Sequence, residues 1–424
     1  MTKNITISVL LKILQAFFGF AILHQLISTW GTERYGIWIT MTSAITYMTM
    51  LDFGVGYGIK NRVSEAAAHS TPASRAELVP TIQFGVLFYA GISALIIIFG
   101  LAIVPAVSPF KDHKPAAAIL WTASSATFFL SYANIILQGE SKFGRLNAFA
   151  LIVPLSWCLI VTLTKDQGGL PLTLAASVYA ALLIIQGSTA FVAVRRLGYF
   201  QGRMRFSWNP LVAQPLLTTG IKFFLLQIAS LTLFYSGNLL IFYELGPAEV
   251  ARYDAATKVF SIFTVGFSVL LTVAWTEISM AKARSDGKRL RAVLAFLGLA
   301  AILAFGAAAL VSWQSNFFVL RLTGVTISPR QTAPFALLAG LQSLAFAGAV
   351  FLNAFEELKG QLVLALLSIP GFFAAAYFMF GRGFGMEAVP LATAITMLPA
   401  VIYCWSRALK IIRRFEGRVS PSIV

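Results

Sequence analysis

The 424-residue chain is 58% hydrophobic and 11% charged, with a mean hydropathy of +0.80; soluble domains are roughly one quarter charged, so a water-soluble fold is excluded. Its formal charge of +16 is scattered between apolar stretches rather than gathered into one patch, which excludes a nucleic-acid surface and makes the basic residues reporters of topology. Cys158 and Cys404 lie in separate apolar stretches, and His24, His69 and His113 have no metal-ligand spacing, so no disulfide framework, metal centre or cofactor is expected.

A window of about 19 residues predicts twelve membrane-spanning helices, near 5–29, 34–59, 78–105, 115–138, 146–164, 170–194, 215–243, 250–280, 292–313, 331–355, 360–380 and 386–406. The first is too long for the apolar core of a signal peptide and is followed by no small-x-small site, so it is read as a retained helix. An even number of spans puts both termini on one side. Basic residues concentrate on that side, above all Arg195, Arg196, Arg203 and Arg205, then Lys282 to Arg291, then the tail from Arg407 to Arg418. The positive-inside rule therefore places both termini in the cytoplasm.

The longest polar connection inside the bundle follows span six. It divides the chain into a lobe over 1–196, a cytoplasmic linker over 197–214, and a second lobe over 215–424 that ends in the basic tail. A weak repeat relates the lobes. LLKILQ and WGTERYGIW in the first half match GIKFFLLQ and LGPAEVARYDAA in the second, pairing Lys12 with Lys222, Gly31 with Gly246 and Tyr35 with Tyr253. Duplicated transporters place their binding sites between such halves.

A charge near the centre of a spanning helix costs at least about 2.5 kcal/mol, so it is kept where it meets a partner or a wet cavity. Lys12 lies roughly 10 Å in from the inner boundary at 1.5 Å per residue. Asp52 is at similar depth on the returning second span, within reach of Lys12. Asp254 and Lys258 are four apart, on one face of span eight. Three lysines against two aspartates make a net cationic lining that suits an anionic guest. A Lys can equally snorkel to the interface and an Asp can simply cap a helix, so both readings stand at this level.

Span two ends in LDFGVGYGIKNR. Its alternating Gly54, Gly56 and Gly58 suit close helix contact or a flexible segment beside Asp52. Trp30, Tyr35, Trp38, Trp313 and Trp405 fall near span ends and read as an interfacial belt. Trp275 and Glu277, near the inner end of span eight, are candidates for a cytoplasmic mouth. Pro154, Pro370 and Pro399 are candidate kinks. Asn134, Gln138, Ser236 and Asn238 offer hydroxyl-compatible groups, or hydrogen bonds between helices.

Two passages resemble a known family. GTERYGIWITMTSAITYMTMLDFGVGYGIKNRVSEA is similar to the first-to-second helix region of bacterial polysaccharide flippases of the Wzx type, and SGNLLIFYELGPAEVARYDAATKVFSIFTVGFSVLLTVAWTEISMAKARSDGKRLR to their seventh and eighth helices. These flippases form the polysaccharide transport branch of the superfamily that also holds multidrug exporters and the lipid II flippase. The resemblance implies an all-α inner-membrane protein whose two six-helix lobes form a V around a cationic cavity. It implies flipping of an undecaprenyl-pyrophosphate-linked oligosaccharide for O-antigen or exopolysaccharide synthesis, without covalent chemistry, beside polysaccharide assembly proteins. On that implication Lys12, Lys222 and Lys258 hold the pyrophosphate, with Asp52 and Asp254 as polar partners. Where the family commonly has Pro after the Trp of helix eight, this chain has Thr276.

Two other functions fit a bundle of this type. A cation-coupled drug exporter often carries an acid in its first helix, where this chain has Lys12 and His24. A membrane polymerase or ligase needs a catalytic outer loop, and the longest outer loop, from Trp313 to Arg330, holds no carboxylate pair, triad or metal spacing.

Overall fold

The computed structural model describes residues 2–49, 52–69, 77–199, 209–355 and 357–417. The first helices are α1 (Thr2–Thr49), α2 (Val55–His69), α3 (Val79–Ala106), α4 (Lys114–Gly139), α5 (Phe143–Phe149), α6 (Ile152–Thr164), α7 (Leu172–Arg196) and α8 (Pro210–Tyr235). They are followed by α9 (Gly237–Leu245), α10 (Pro247–Ala283), α11 (Gly287–Trp313), α12 (Ser315–Thr323), α13 (Pro329–Ala354), α14 (Lys359–Gly381) and α15 (Ala388–Gly417). Among the described residues, ten helical runs are long and apolar enough to cross a bilayer. One of them, Leu10–Ser43, is two legs divided at Gly31, and the pair Phe224–Tyr235 and Gly237–Leu245, bent by 42°, supplies a further leg. The twelve expected legs of a multi-pass membrane protein are thereby accounted for, the second and seventh of them broken.

Gly31 has φ 75° and ψ 171°, a region that only glycine enters cheaply, and the chain reverses there. Before it, Gln15 donates to the Asn147 carbonyl at 3.1 Å, and Gln25 accepts from the Thr162 hydroxyl at 3.0 Å. Beyond it, Trp38 returns to stack on Trp157 with ring centroids 5.6 Å apart. Gly246, between α9 and α10, has φ 88° and ψ 171°. The Gly31/Gly246 correspondence therefore extends to backbone geometry. Tyr35 and Tyr253 do not share that register, because the first is the fourth residue after its glycine and the second the seventh, about one helical turn apart.

The chain forms two compact units, Met1–Ile228 and Ala229–Val424, each built around one buried helix. In the first unit α4 packs against α1, α2, α3 and α7. Lipid tails are as apolar as side chains, so cohesion comes from close fit and internal hydrogen bonds. Gly85 and Gly100 leave room for Tyr132 and Trp121, and those rings donate to the Ile82 carbonyl at 3.1 Å and the Ile96 carbonyl at 2.6 Å. Ser93 and Ser125 exchange hydroxyl-to-carbonyl bonds at 3.0 and 2.8 Å. In the second unit α13 takes the same part against α10, α11 and α15. Gly340 receives Phe305, Gly348 receives Cys404, and the Trp405 indole donates to the Leu344 carbonyl at 2.9 Å.

Three of the aromatics expected in an interfacial belt are instead core. Trp30, Tyr35 and Trp38 are buried, and Trp38 meets Trp157 and Tyr179 as one cluster. Trp313 is exposed. Pro370 and Pro399 lie inside continuous helices, while Pro154 occupies the first turn of α6, just after the break between α5 and α6. The absence of proline after Trp275 fits α10, which runs unbroken through that point.

The predicted lobe boundary over 197–214 differs from the division between the compact units, which falls inside α8 at Ile228. Contacts of α8 explain the difference. Gly220 meets Gly54, Leu216 meets Gly58, and Phe224 lies 4.3 Å from Phe53 between ring centroids. Residues 200–208 of the predicted linker lie outside the described residues.

Candidate functional site

The first-unit site forms where the second leg is interrupted. Residues 52–54 are non-helical, α2 starts at Val55, and Phe53 and Gly54 take φ 51° and φ 68°. A break at membrane depth exposes amides that need partners, and Asp52 supplies them. Its Oδ1 accepts the Gly54 amide at 3.0 Å and its Oδ2 accepts the Tyr89 hydroxyl at 3.2 Å. The Gly56 amide and the Gln227 side chain also donate to this carboxylate. The carboxyl group thus sits at the N-terminus of α2, as a helix cap.

Asp52 and Lys12 form no ion pair among the described residues. The physical reason is local: the carboxylate is turned into its own helix start and toward Tyr89 and Gln227. Lys12 is exposed on α1 among the exposed apolar side chains of Leu10, Ile13 and Phe17. The Lys222 side chain lies outside the described residues. Its place on α8, between Gly220 and Phe224, sets its backbone at the level of Phe53 and Gly54.

In the second unit the expected contact of Asp254 with Lys258 is made. Lys258 Nζ donates to Asp254 Oδ2 at 2.5 Å, with Asp254 buried. This pair is neutral as a whole, so the net cationic lining expected from the sequence reduces to Lys12 and the position of Lys222. Trp275 is exposed, and Glu277 accepts from both Nη2 and Nε of Arg289 at 2.8 and 3.2 Å. Of the other polar candidates, Ser236, at the break between α8 and α9, donates to the Thr232 carbonyl of α8, and Asn238 is buried.

Sequence reasoning missed Tyr89, Gly220 and Gln227. A signal existed for two of them, since Gly220 and Gln227 are seven apart, on one face of an apolar helix. For Tyr89 none existed. We expect Asp52→Ala to lower stability by about 3 kcal/mol, because hydrogen bonds to a charged group contribute about 1.5–3 kcal/mol and their buried donors would be orphaned. Asp52→Asn, which keeps an acceptor oxygen, should lose less than half of that. Thermal melting of the purified protein in one detergent checks both, and equal melting of Asp52→Ala and wild type would refute the capping role.

Apolar legs throughout the described residues, one of them broken where the Asp52 carboxyl caps the restart of the helix, define a multi-pass membrane protein. No family model matches the sequence. A Salmonella typhimurium protein provisionally named an O-antigen transporter is 22% identical over 298 residues, which is 67% of this chain and 66% of that relative, so the chain covers just under two thirds of its length. An inward-facing multidrug resistance MATE family transporter of the MOP superfamily has a TM-score of 0.73 at 11% identity, covering 97% of this chain and 99% of that one. The lipid II flippase MurJ, in an inward closed conformation, also scores 0.73, at 14% identity over 96% of this chain and 89% of its own. A MOP superfamily transporter from Pyrococcus furiosus, whose binding pocket is described as having reverse polarity, scores 0.65 at 13% identity over 98% and 95%. The fold is that of the MOP exporter superfamily, in agreement with the resemblance read from the sequence.

Proposed function

We propose that the chain is a Wzx-type flippase that moves an undecaprenyl-pyrophosphate-linked oligosaccharide from the inner to the outer leaflet of the bacterial cytoplasmic membrane by alternating access. Its product feeds surface polysaccharide synthesis, and it performs no covalent step. The lobes over 1–196 and 215–424 are the moving parts, and both termini are cytoplasmic. The observation that carries this reading is Lys12, an ammonium exposed on an apolar arm, where a cation-coupled drug exporter would carry an acid. A pyrophosphate is a dense anion, and an ammonium in a low-dielectric surrounding attracts it far more strongly than in water. Lys222 and Lys258 are the companion cations, the latter exchanging Asp254 for the headgroup, with Trp275 and Glu277 at the inner mouth. The likenesses to an O-antigen transporter and to the lipid II flippase support the substrate class.

The test is a leaflet-resolved assay in proteoliposomes that carry the lipid-linked glycan of the strain encoding this protein. The glycan should become accessible on the far leaflet only when the protein is present, and the rate should be compared with and without a membrane potential. Transfer no faster than in protein-free vesicles would overturn the proposal. Increased drug resistance on overexpression, without glycan transfer, would instead establish the drug exporter.

A further inference from the structure

The second unit holds a partly closed cavity of about 260 Å³ between α8, α10, α13 and α15. One wall is aromatic. Phe335 stacks on Phe260 at 6.0 Å between centroids and meets Tyr253 at 5.5 Å. The α10 side contributes Thr257, Ser261 and Thr264, which share one helical face by their spacing. Ser261 donates its hydrogen to the Lys258 carbonyl at 2.8 Å, and Thr264 donates to the Ser261 carbonyl at 3.0 Å. With their single hydrogens used, both hydroxyls have lone pairs left as acceptors. The Thr257 hydroxyl meets the Tyr253 hydroxyl across one helical turn, which leaves this pair lone pairs to offer a guest. Gln342, on α13, adds an amide that both donates and accepts.

Size and charge restrict the guest. Pockets for drug-sized molecules run from about 300 to 1,000 Å³, so this partly closed cavity has room for about one ring, with any further residues of a chain lying outside it. No Asp, Glu, Lys, Arg or His lines it among the described residues, so the guest is neutral. A ring with an apolar face for the aromatics and a rim of hydroxyls for lone pairs and an amide is a pyranose. The Asp254 and Lys258 pair flanks the lining residues Tyr253 and Thr257 along α10, which brings a candidate phosphate-binding group to the cavity's edge. We infer that this cavity is a monosaccharide subsite that seats one neutral sugar of the glycan while the pyrophosphate is held outside it. The inference rests on the flippase reading and adds where a sugar is recognised.

The purified protein in nanodiscs is titrated with two probes, undecaprenyl pyrophosphate and the glycan-bearing lipid from the encoding strain. Wild type should bind the second more tightly. Gln342→Ala, which removes the amide, and Ser261→Leu, which fills the cavity, should each weaken binding of the glycan-bearing lipid about tenfold while changing bare undecaprenyl pyrophosphate less than twofold. Retained binding of the bare lipid shows that the variants are folded. Unchanged binding of both probes by both variants would overturn the subsite, and so would parallel loss of both or no wild-type preference for the glycan. Failure of wild type to bind either lipid would instead remove the flippase reading beneath it.

Discussion

The Lys12→Ala, Lys222→Ala double variant should restore less than about 1% of surface glycan in a flippase-null strain while reaching the membrane at wild-type levels. The size follows from Coulomb's law. Two unit charges about 4 Å apart attract by about 4 kcal/mol at an effective dielectric of 20, and each 1.4 kcal/mol is a factor of ten in binding. Removing both ammonium groups therefore takes away more than two decades of headgroup affinity, even after discounting for water that reaches an exposed Lys12. Each single variant should retain intermediate function. Lys12→Met preserves the apolar stem and removes only the charge, so it should resemble Lys12→Ala if charge is the operative property. Lys12→Arg should restore most of the activity. Full glycan production by the double variant would sink the cationic mechanism.

Much of this architecture was legible in the residues, for definable reasons. The twelve legs could be read because every leg must bury its backbone polar groups within itself and show lipid an apolar surface. Gly31 and Gly246 could be paired because a reversal with ψ near 171° at positive φ accepts little else. Asp254 and Lys258 could be joined because i, i+4 contact is local. What escaped depends on distant segments. Equal depth suggests Asp52 as a partner for Lys12, but depth does not fix azimuth, and Tyr89 and Gln227 come from helices whose packing no local pattern states. The positions of Trp30, Tyr35 and Trp38 suggest a belt, but an aromatic near a span end suits both an interface and a core. Trp38 is covered by Trp157 and Tyr179, more than a hundred residues away in sequence, and Trp30 by Trp38 in turn.

The same dependence on distant contacts sets the largest expected effect on stability. Gly54 and Gly220 face one another backbone to backbone: a Cβ on Gly54 would overlap the Gly220 carbonyl oxygen, and a Cβ on Gly220 would stand 2.6 Å from the Phe53 carbonyl oxygen. Gly54→Ala has a second handicap, because its φ of 68° lies in the left-handed region, which costs an L-residue about 1–2 kcal/mol. Relief of the overlap requires α8 to move away, and that would loosen the Phe53 and Phe224 contact and the hydrogen bond from Gln227 to Asp52. We therefore expect Gly54→Ala to cost about 4 kcal/mol or more, in the range reserved for named structural faults. Gly220→Ala, in regular helix, should cost less by roughly the conformational term of about 1–2 kcal/mol. Gly19→Ala, with no neighbour within 4 Å of its added carbon, should leave stability unchanged or raise it by up to about 1 kcal/mol. Melting of the three purified variants in one detergent gives the order. Were Gly220→Ala to melt with wild type, the close approach of α8 to the broken second leg would not be what holds the first unit together.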